Sequence, residues 1–232
     1  MIFSVNPRRR GWQDVGYKHV ALLFDHFRLD QKEPETPIRQ ELDGKRRLSD
    51  IIKEEIDDLE DEHLYPQSKK KTHSFTEVKG LVFVRWIDRI GEDPNTFTTR
   101  LFEKIVTNNI SLDMFHSLKR LIPVENTTYA SPEKAANLAL QLCQPHFNAT
   151  KPLTFRVDIQ VRQNSSANKT KLIHAIADTI SHMGAHKVNL TAPDKIVIVE
   201  IIRQICCMSC VSGEQYRKNF CFSFDKVRES YE

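Results

Sequence analysis

Between Val161 and Leu172 the chain sets out a dense run of hydrogen-bond donors, Arg162-Gln-Asn-Ser-Ser166 followed by Asn168, Lys169 and Lys171. Side chains of these types hold phosphate oxygens, ribose hydroxyls and the edges of unpaired bases. Arg162, Asn164, Ser165, Asn168, Lys169 and Lys171 are therefore the candidate residues of a polyanion site. A second basic cluster, Arg8, Arg9 and Arg10 with Trp12 and Lys18, could hold a nucleic-acid backbone in the same way, and a solvent-facing turn accounts for it nearly as well. Arg156, Lys187 and Arg203 are outlying cations of the same kind.

The local pattern places these residues on particular elements. Phe155 to Val161 alternates between apolar and polar, the mark of a half-buried strand. From Asn168 the period changes: Leu172, Ile173, Ile176, Ala177 and Ile180 share a helical face, and Asn168 stands where an N-cap belongs. The donors thus occupy a strand-to-helix turn, beside a helix N-terminus that favours negative charge. In the N-terminal cluster the arginines lie between a short strand at Ile2–Val5 and a helix predicted over Val15–Arg28.

Other spacings that suggest chemistry fail on a necessary part. Cys207-Met-Ser-Cys210 has metal-ligand spacing, yet its flanks are strand-like, and residues three apart on a strand face opposite sides. Buried strand thiols explain it better than a metal or redox centre. His182 and His186 are four apart, but Gly184 ends the helix between them. Ser166-Ala-Asn-Lys169 has the spacing of a serine–lysine acyl enzyme without that class's other elements. Gly11-x4-Gly16-Tyr17-Lys18 imitates a phosphate loop, except that Tyr17 intrudes before the lysine and no Ser or Thr follows it. The sequence offers no dinucleotide-binding glycine pattern either, so no cofactor, no metal and no catalytic residue is expected.

Charge points the same way as the donor-rich turn. Residues 30–63 hold 13 Asp and Glu against 6 Lys and Arg, a net of −7, and the remainder holds 28 basic against 18 acidic residues, a net of +10. A basic body with an acidic insert suits an RNA, DNA or acidic-lipid partner, or else a solvated charged surface. The start Met1-Ile-Phe-Ser-Val-Asn runs at once into Pro7-Arg-Arg-Arg10, which is no secretory signal, and no apolar run reaches the length of a membrane span. An intracellular protein without membrane association is expected, with its 5 cysteines reduced. Because the predicted strand begins almost at Met1, a longer natural N-terminus is also expected.

An α/β (α+β) protein of two units follows from the order of elements. Leu81–Trp86 reads as a strand, Phe97 to Val106 as a helix and Leu118–Val124 as a strand. With the strand at Ile2–Val5 and the helix at Val15–Arg28 they make a ferredoxin-like N-terminal domain, residues 1–124, carrying an insert at about 29–77. In that insert, Leu48, Ile51, Ile52, Ile56 and Leu59 recur at helical spacing opposite Asp and Glu, giving an acidic helix over 48–62 with one face able to dock. In residues 125–225, Ser131 caps a helix to about Phe147, and the donor-rich strand and helix follow. Next come a turn-rich connection at Val188–Lys195, a buried strand at Ile196–Ile202, and strands at Ile205–Val211 and Phe220–Phe224. Residues 226–232 form a tail.

Three segments then point to a family: Arg120-Leu-Ile-Pro-Val-Glu125, Val161-Arg-Gln-Asn-Ser-Ser166 with Asn168, and Val188-Asn-Leu-Thr-Ala-Pro-Asp194 followed by Ile198-Val-Glu-Ile201. Together they resemble the THUMP RNA-binding domain, in the version found in eukaryotic tRNA acetylation adaptors. The likeness extends over roughly residues 80–225, and the acidic helix at 48–62 is similar to that of the same family. Lys195, where relatives often carry an aromatic, and a short basic N-terminal tail depart from the pattern.

The resemblance implies a THUMP domain with a mixed sheet behind the ferredoxin-like domain, the two gripping the acceptor end of tRNA. It further implies a non-enzymatic adaptor, in the nucleus or nucleolus. Such an adaptor presents serine and leucine tRNAs to an RNA cytidine acetyltransferase, which forms acetylcytidine in the D-arm. Arg8, Arg9, Arg10, Lys18, Arg162, Asn164, Ser165, Asn168, Lys169 and Lys171 would then be the RNA contacts. The rival readings are an RNA-modifying enzyme with an unrecognised site and a protein-interaction scaffold.

Overall fold

The computed structural model describes residues 2–5, 18–19, 22–23, 78–84, 92–108, 110–147 and 151–231. Arg8, Arg9, Arg10 and the helix expected over 48–62 lie outside the described residues.

The N-terminal part is a three-stranded antiparallel sheet of β1 (Ile2–Val5), β2 (Leu81–Phe83) and β3 (Leu118–Ile122), in the order β2-β1-β3. Ile2 stands opposite both Phe83 and Ile122, so the first strand is the central one. Helix α1 (Pro94–Thr107) starts sharply: the Asp93 carboxylate accepts from the amides of Asn95 and Thr96 at 2.9 and 3.0 Å, and Pro94 occupies the first helical position. Phe97, Leu101, Phe102 and Ile105 recur at helical spacing and are buried. The expected strand, helix and strand order at 81–122 is present. Of the helix expected over Val15–Arg28, only residues 18–19 and 22–23 are described, and they are helical.

The second sheet has five strands in the order β4-β8-β7-β5-β6: β4 (Asn126–Tyr129), β5 (Thr154–Arg162), β6 (Lys187–Val188), β7 (Lys195–Ile202) and β8 (Ile205–Ser212). It is mixed. β5 runs parallel to β6 and β7, while β7 with β8 and β8 with β4 are antiparallel. Helices α2 (Pro132–Phe147) and α3 (Lys169–His182) cover one face. Ser131 Oγ accepts from the Lys134 amide at 3.3 Å, as the expected cap for α2.

The near-continuous apolar run of β7 is explained by burial on both faces. Val197, Val199 and Ile201 join the core beneath α2 and α3. Ile196, Ile198 and Ile202 face the other way, into a core that also holds Ile2, Leu81, Phe102 and Leu121. The N-terminal sheet and the reverse face of the second sheet therefore share one hydrophobic core. Helix α4 (Gly213–Lys218), a single 3-10 turn at Phe220–Phe222 and helix α5 (Phe224–Glu229) close this core. At the start of α4 a glycine is required by close approach: a Cβ on Gly213 would lie 2.0 Å from the Pro193 carbonyl oxygen.

Two expectations about elements change. Phe220–Phe224 is not a strand, because Phe220, Cys221 and Phe222 all have φ between 52 and 55°, a left-handed backbone that no strand contains. Their alternation misleads because Phe222 and Phe224 both insert against Phe102, with ring centroids 5.6 and 4.9 Å away. The connection after α3 contains the two-residue strand β6, and only then an Asn189 turn, whose carboxamide oxygen accepts from the amides of Thr191 and Ala192 at 3.0 and 3.1 Å. Strand β4, Asn-Thr-Thr-Tyr on a sheet edge, has no apolar alternation to announce it.

Candidate nucleic-acid interface

The donor-rich stretch folds as its period change requires: β5 ends at Arg162 and α3 begins at Lys169. The Asn168 carboxamide oxygen accepts from the Lys171 amide at 3.0 Å, so the expected N-cap is present. Arg162, Asn164, Ser165, Asn168, Lys169 and Lys171 therefore lie within one strand–turn–helix.

The turn is held rather than left to solvent. Asn164 Oδ1 accepts from the Ser166 amide, the Ser166 hydroxyl and the Ala167 amide at 3.0, 2.9 and 2.7 Å, while its Nδ2 donates to the Arg203 carbonyl at 2.5 Å. Arg203, in the two-residue turn between β7 and β8, returns the contact: its amide donates to the Arg162 carbonyl at 2.9 Å, and its Nε to Gln163 Oε1 at 3.4 Å. Gln163 and Arg203 both adopt left-handed backbone, with φ of 51 and 52°. The hairpin tip and the strand-to-helix turn are thus joined into one hydrogen-bonded unit.

Within it the predicted residues divide by task. Asn164 and Asn168 spend their side-chain oxygens on the fold itself. Ser165, Lys169 and Lys171 are exposed, as is Arg203. Arg162 is intermediate: its Nε donates to Glu200 Oε2 at 3.1 Å, with the arginine side chain 35% exposed and the glutamate 1%. Burial raises the Glu200 pKa against the opposing charge of Arg162. Lys18 is exposed and helical. Arg156 lies towards the opposite end of β5, where its Nη1 donates to the Leu190 carbonyl at 3.0 Å, and Lys187, on β6, pairs with Thr154 at that end.

The chief residue that sequence reasoning passed over is Glu200. Its signal was legible as the lone charge inside Ile196-Val-Ile-Val-Glu-Ile-Ile202. Deeper in the sheet, Arg120 donates to the Tyr216 hydroxyl, which donates to Asp158 Oδ2 at 3.5 Å, linking β3 through α4 to β5.

Of the patterns set aside earlier, the cysteine and histidine pairs have places in the fold, and Gly11-x4-Gly16-Tyr17-Lys18 lies, but for Lys18, outside the described residues. Cys206, Cys207 and Cys210 are buried in β8. His186 is buried, receiving the Leu153 amide on Nδ1 and contacting the Phe147 carbonyl through Nε2 at 2.9 Å, while His182 Nδ1 lies 2.6 Å from the Asp178 carbonyl. Among the described residues no group of three or more His, Cys, Asp or Glu could hold a metal ion, and no helix is long and apolar enough to cross a membrane.

The site is thus a set of exposed cations at a strand-to-helix turn of a mixed five-stranded sheet with a helix pair on one face. Residues 129–211 match the THUMP domain family, and the chain contains a THUMP domain. It is homologous to THUMP domain-containing protein 1 of Mus musculus, with 29% identity over 169 residues covering 69% of this chain and 44% of the mouse protein. The Homo sapiens protein of that name is 32% identical over 117 residues, covering 47% of this chain and 33% of its own length. This chain thus spans less than half of those relatives. It is also homologous to tRNA acetyltransferase TAN1 of Saccharomyces cerevisiae, 23% identical over 99% of this chain and 84% of the yeast protein. The solution structure of the THUMP domain of THUMP domain-containing protein 1 shares 33% identity, covering 33% of this chain and 80% of that one, with a TM-score of 0.31.

Proposed function

We propose that this chain is a tRNA-binding adaptor that presents serine and leucine tRNAs to an RNA cytidine acetyltransferase for acetylcytidine formation in the D-arm, in the nucleus or nucleolus. The observation that carries this reading is homology along 99% of the chain to a yeast protein named for tRNA acetylation. The hydrogen-bonded turn supports it, because Lys169, Lys171 and Arg203 stand exposed on a frame that pays little ordering entropy when a phosphate docks. The acceptor end is the preferred target. The narrow major groove of an RNA duplex excludes side chains, so shape and an unpaired 3′ end must supply selectivity. The acidic segment 48–62 would repel RNA and is offered instead to the acetyltransferase.

The name of the yeast relative favours a second reading, in which the chain is itself the acetyltransferase. Purified protein is mixed with tRNA carrying or lacking its 3′ single-stranded end, and separately with tRNA, acetyl-CoA and ATP. The adaptor reading expects tight binding that weakens without the 3′ end and no acetylation by the chain alone. Indifference to RNA at low salt overturns it, and acetylation by the purified chain establishes the enzyme.

A further inference from the structure

Glu200 does not belong to the core by hydrophobicity. It is 1% exposed on a strand whose other residues from Ile196 to Ile202 are Ile and Val, and it shares a face with Ile198 and Ile202. Gln160 stands beside it on β5 and Cys207 on β8. A carboxylate taken out of water loses more than an ion pair usually returns, and an apolar residue of similar volume would serve the core at least as well. Stability therefore gives little reason for a glutamate here, even with the charge of Arg120 adding to that of Arg162.

Its partner gives one. Arg162 ends β5 one step along the same face, at the mouth of the cationic turn, and is 35% exposed. The bond to Glu200 engages Nε, while the Arg203 amide fixes the Arg162 carbonyl at 2.9 Å. Side chain and backbone of this arginine are thus both held. The two Nη groups remain, the edge that grips a phosphate through parallel hydrogen bonds. A salt-bridged arginine adds little long-range attraction, because its charge is already compensated; what the pairing supplies is direction.

We propose that Glu200 is a positioning residue, holding Arg162 so that its Nη edge makes a two-bond contact with an RNA backbone phosphate at the strand-to-helix turn. The proposal rests on the RNA-binding reading above. It gives the site one directional contact among otherwise flexible lysines.

Glu200→Gln and Glu200→Met test it in the full chain. Both are uncharged and near the size of glutamate, but only glutamine keeps an oxygen for Arg162 Nε. The probe is an RNA duplex with a single-stranded 3′ end, titrated over a range of KCl. Glu200→Gln is expected to bind at least as tightly as the wild type. Glu200→Met is expected to bind about tenfold more weakly than Glu200→Gln, with a salt slope shallower by about one phosphate contact. Arg162→Lys, which keeps the charge and loses the planar fork, is expected to match Glu200→Met and carries the comparison should the methionine variant unfold. Equal affinities for the Gln and Met variants, or wild-type affinity for Arg162→Lys, overturn the positioning role while leaving RNA binding intact. Failure of the wild type to bind the probe at low salt overturns the RNA-binding reading and the inference with it.

Discussion

Cys207 and Cys210, three residues apart on β8, point into different cores. Cys207 faces the core shared with the N-terminal sheet, Cys210 the core beneath α2 and α3. An odd separation on a strand forces this divergence, so the two sulfurs cannot close on one metal ion or on each other. Burial pushes the thiols of Cys206 and Cys207 up to about 12. That of Cys210 is raised by its sulfur contact with Cys143 and by burial.

Native protein exposed to a thiol-reactive dye at neutral pH should therefore label at Cys221, which is only half-buried, and at the other four cysteines only after unfolding. Mass mapping of the labelled sites reads the result. Rapid native labelling of Cys207 or Cys210 would contradict this burial and revive a thiol-based reading.

Arg203→Gly should stabilise the fold. The arginine has φ of 52°, a conformation that costs an L-residue roughly 1–2 kcal/mol and glycine nothing. Glycine's greater freedom in the unfolded chain returns part of that, leaving a net gain of about 0.5–1 kcal/mol. The same variant should bind RNA less tightly, since an exposed cation leaves the rim of the turn. Urea unfolding and RNA titration on one preparation separate the two effects. A loss of stability would mean that the side-chain contacts of Arg203, among them the Nε bond to Gln163 at 3.4 Å, outweigh the backbone conformation.

The residues that mark this site were legible in the sequence because they sit where period changes. Alternation up to Val161 and helical spacing from Leu172 located both elements, and Asn168 located the cap between them. What could not be read was the division of labour. Asn164 and Lys169 are both donors near a turn. Only the fold shows that Asn164 is spent on Ser166, Ala167 and Arg203 while Lys169 stays exposed. Arg203 lies forty residues beyond Gln163, and nothing local in the sequence joins the two turns. The aromatic run at Phe220–Phe224 failed for a related reason. Its alternation looks the same whether Phe222 and Phe224 line one face of a strand or are carried into the core by three left-handed residues.

Glu200 also makes stability depend on pH with an unusual sign. Burial holds its pKa above 4.5, the ordinary glutamate value, even with Arg162 opposing. The unfolded chain binds this proton only near 4.5, the folded chain at higher pH as well, so the folded state carries more protons in between. The stabilisation from protonated Glu200 is thus fully present below the unfolded value and is lost as pH rises through the folded one. Asp194 runs the other way: bonds from the Thr154 amide and hydroxyl hold it below 3.8, so its contribution is present above that value and lost at lower pH. It is largely exposed, its effect is small, and its window does not overlap that of Glu200. Glu200→Gln cannot titrate. Its stability relative to the wild type should therefore decline as pH is lowered towards 4.5, because the folded wild type takes up its proton before the unfolded chain does. Urea midpoints for both proteins across that range decide the matter, and a difference that stays constant with pH would show that Glu200 keeps an ordinary pKa despite its burial.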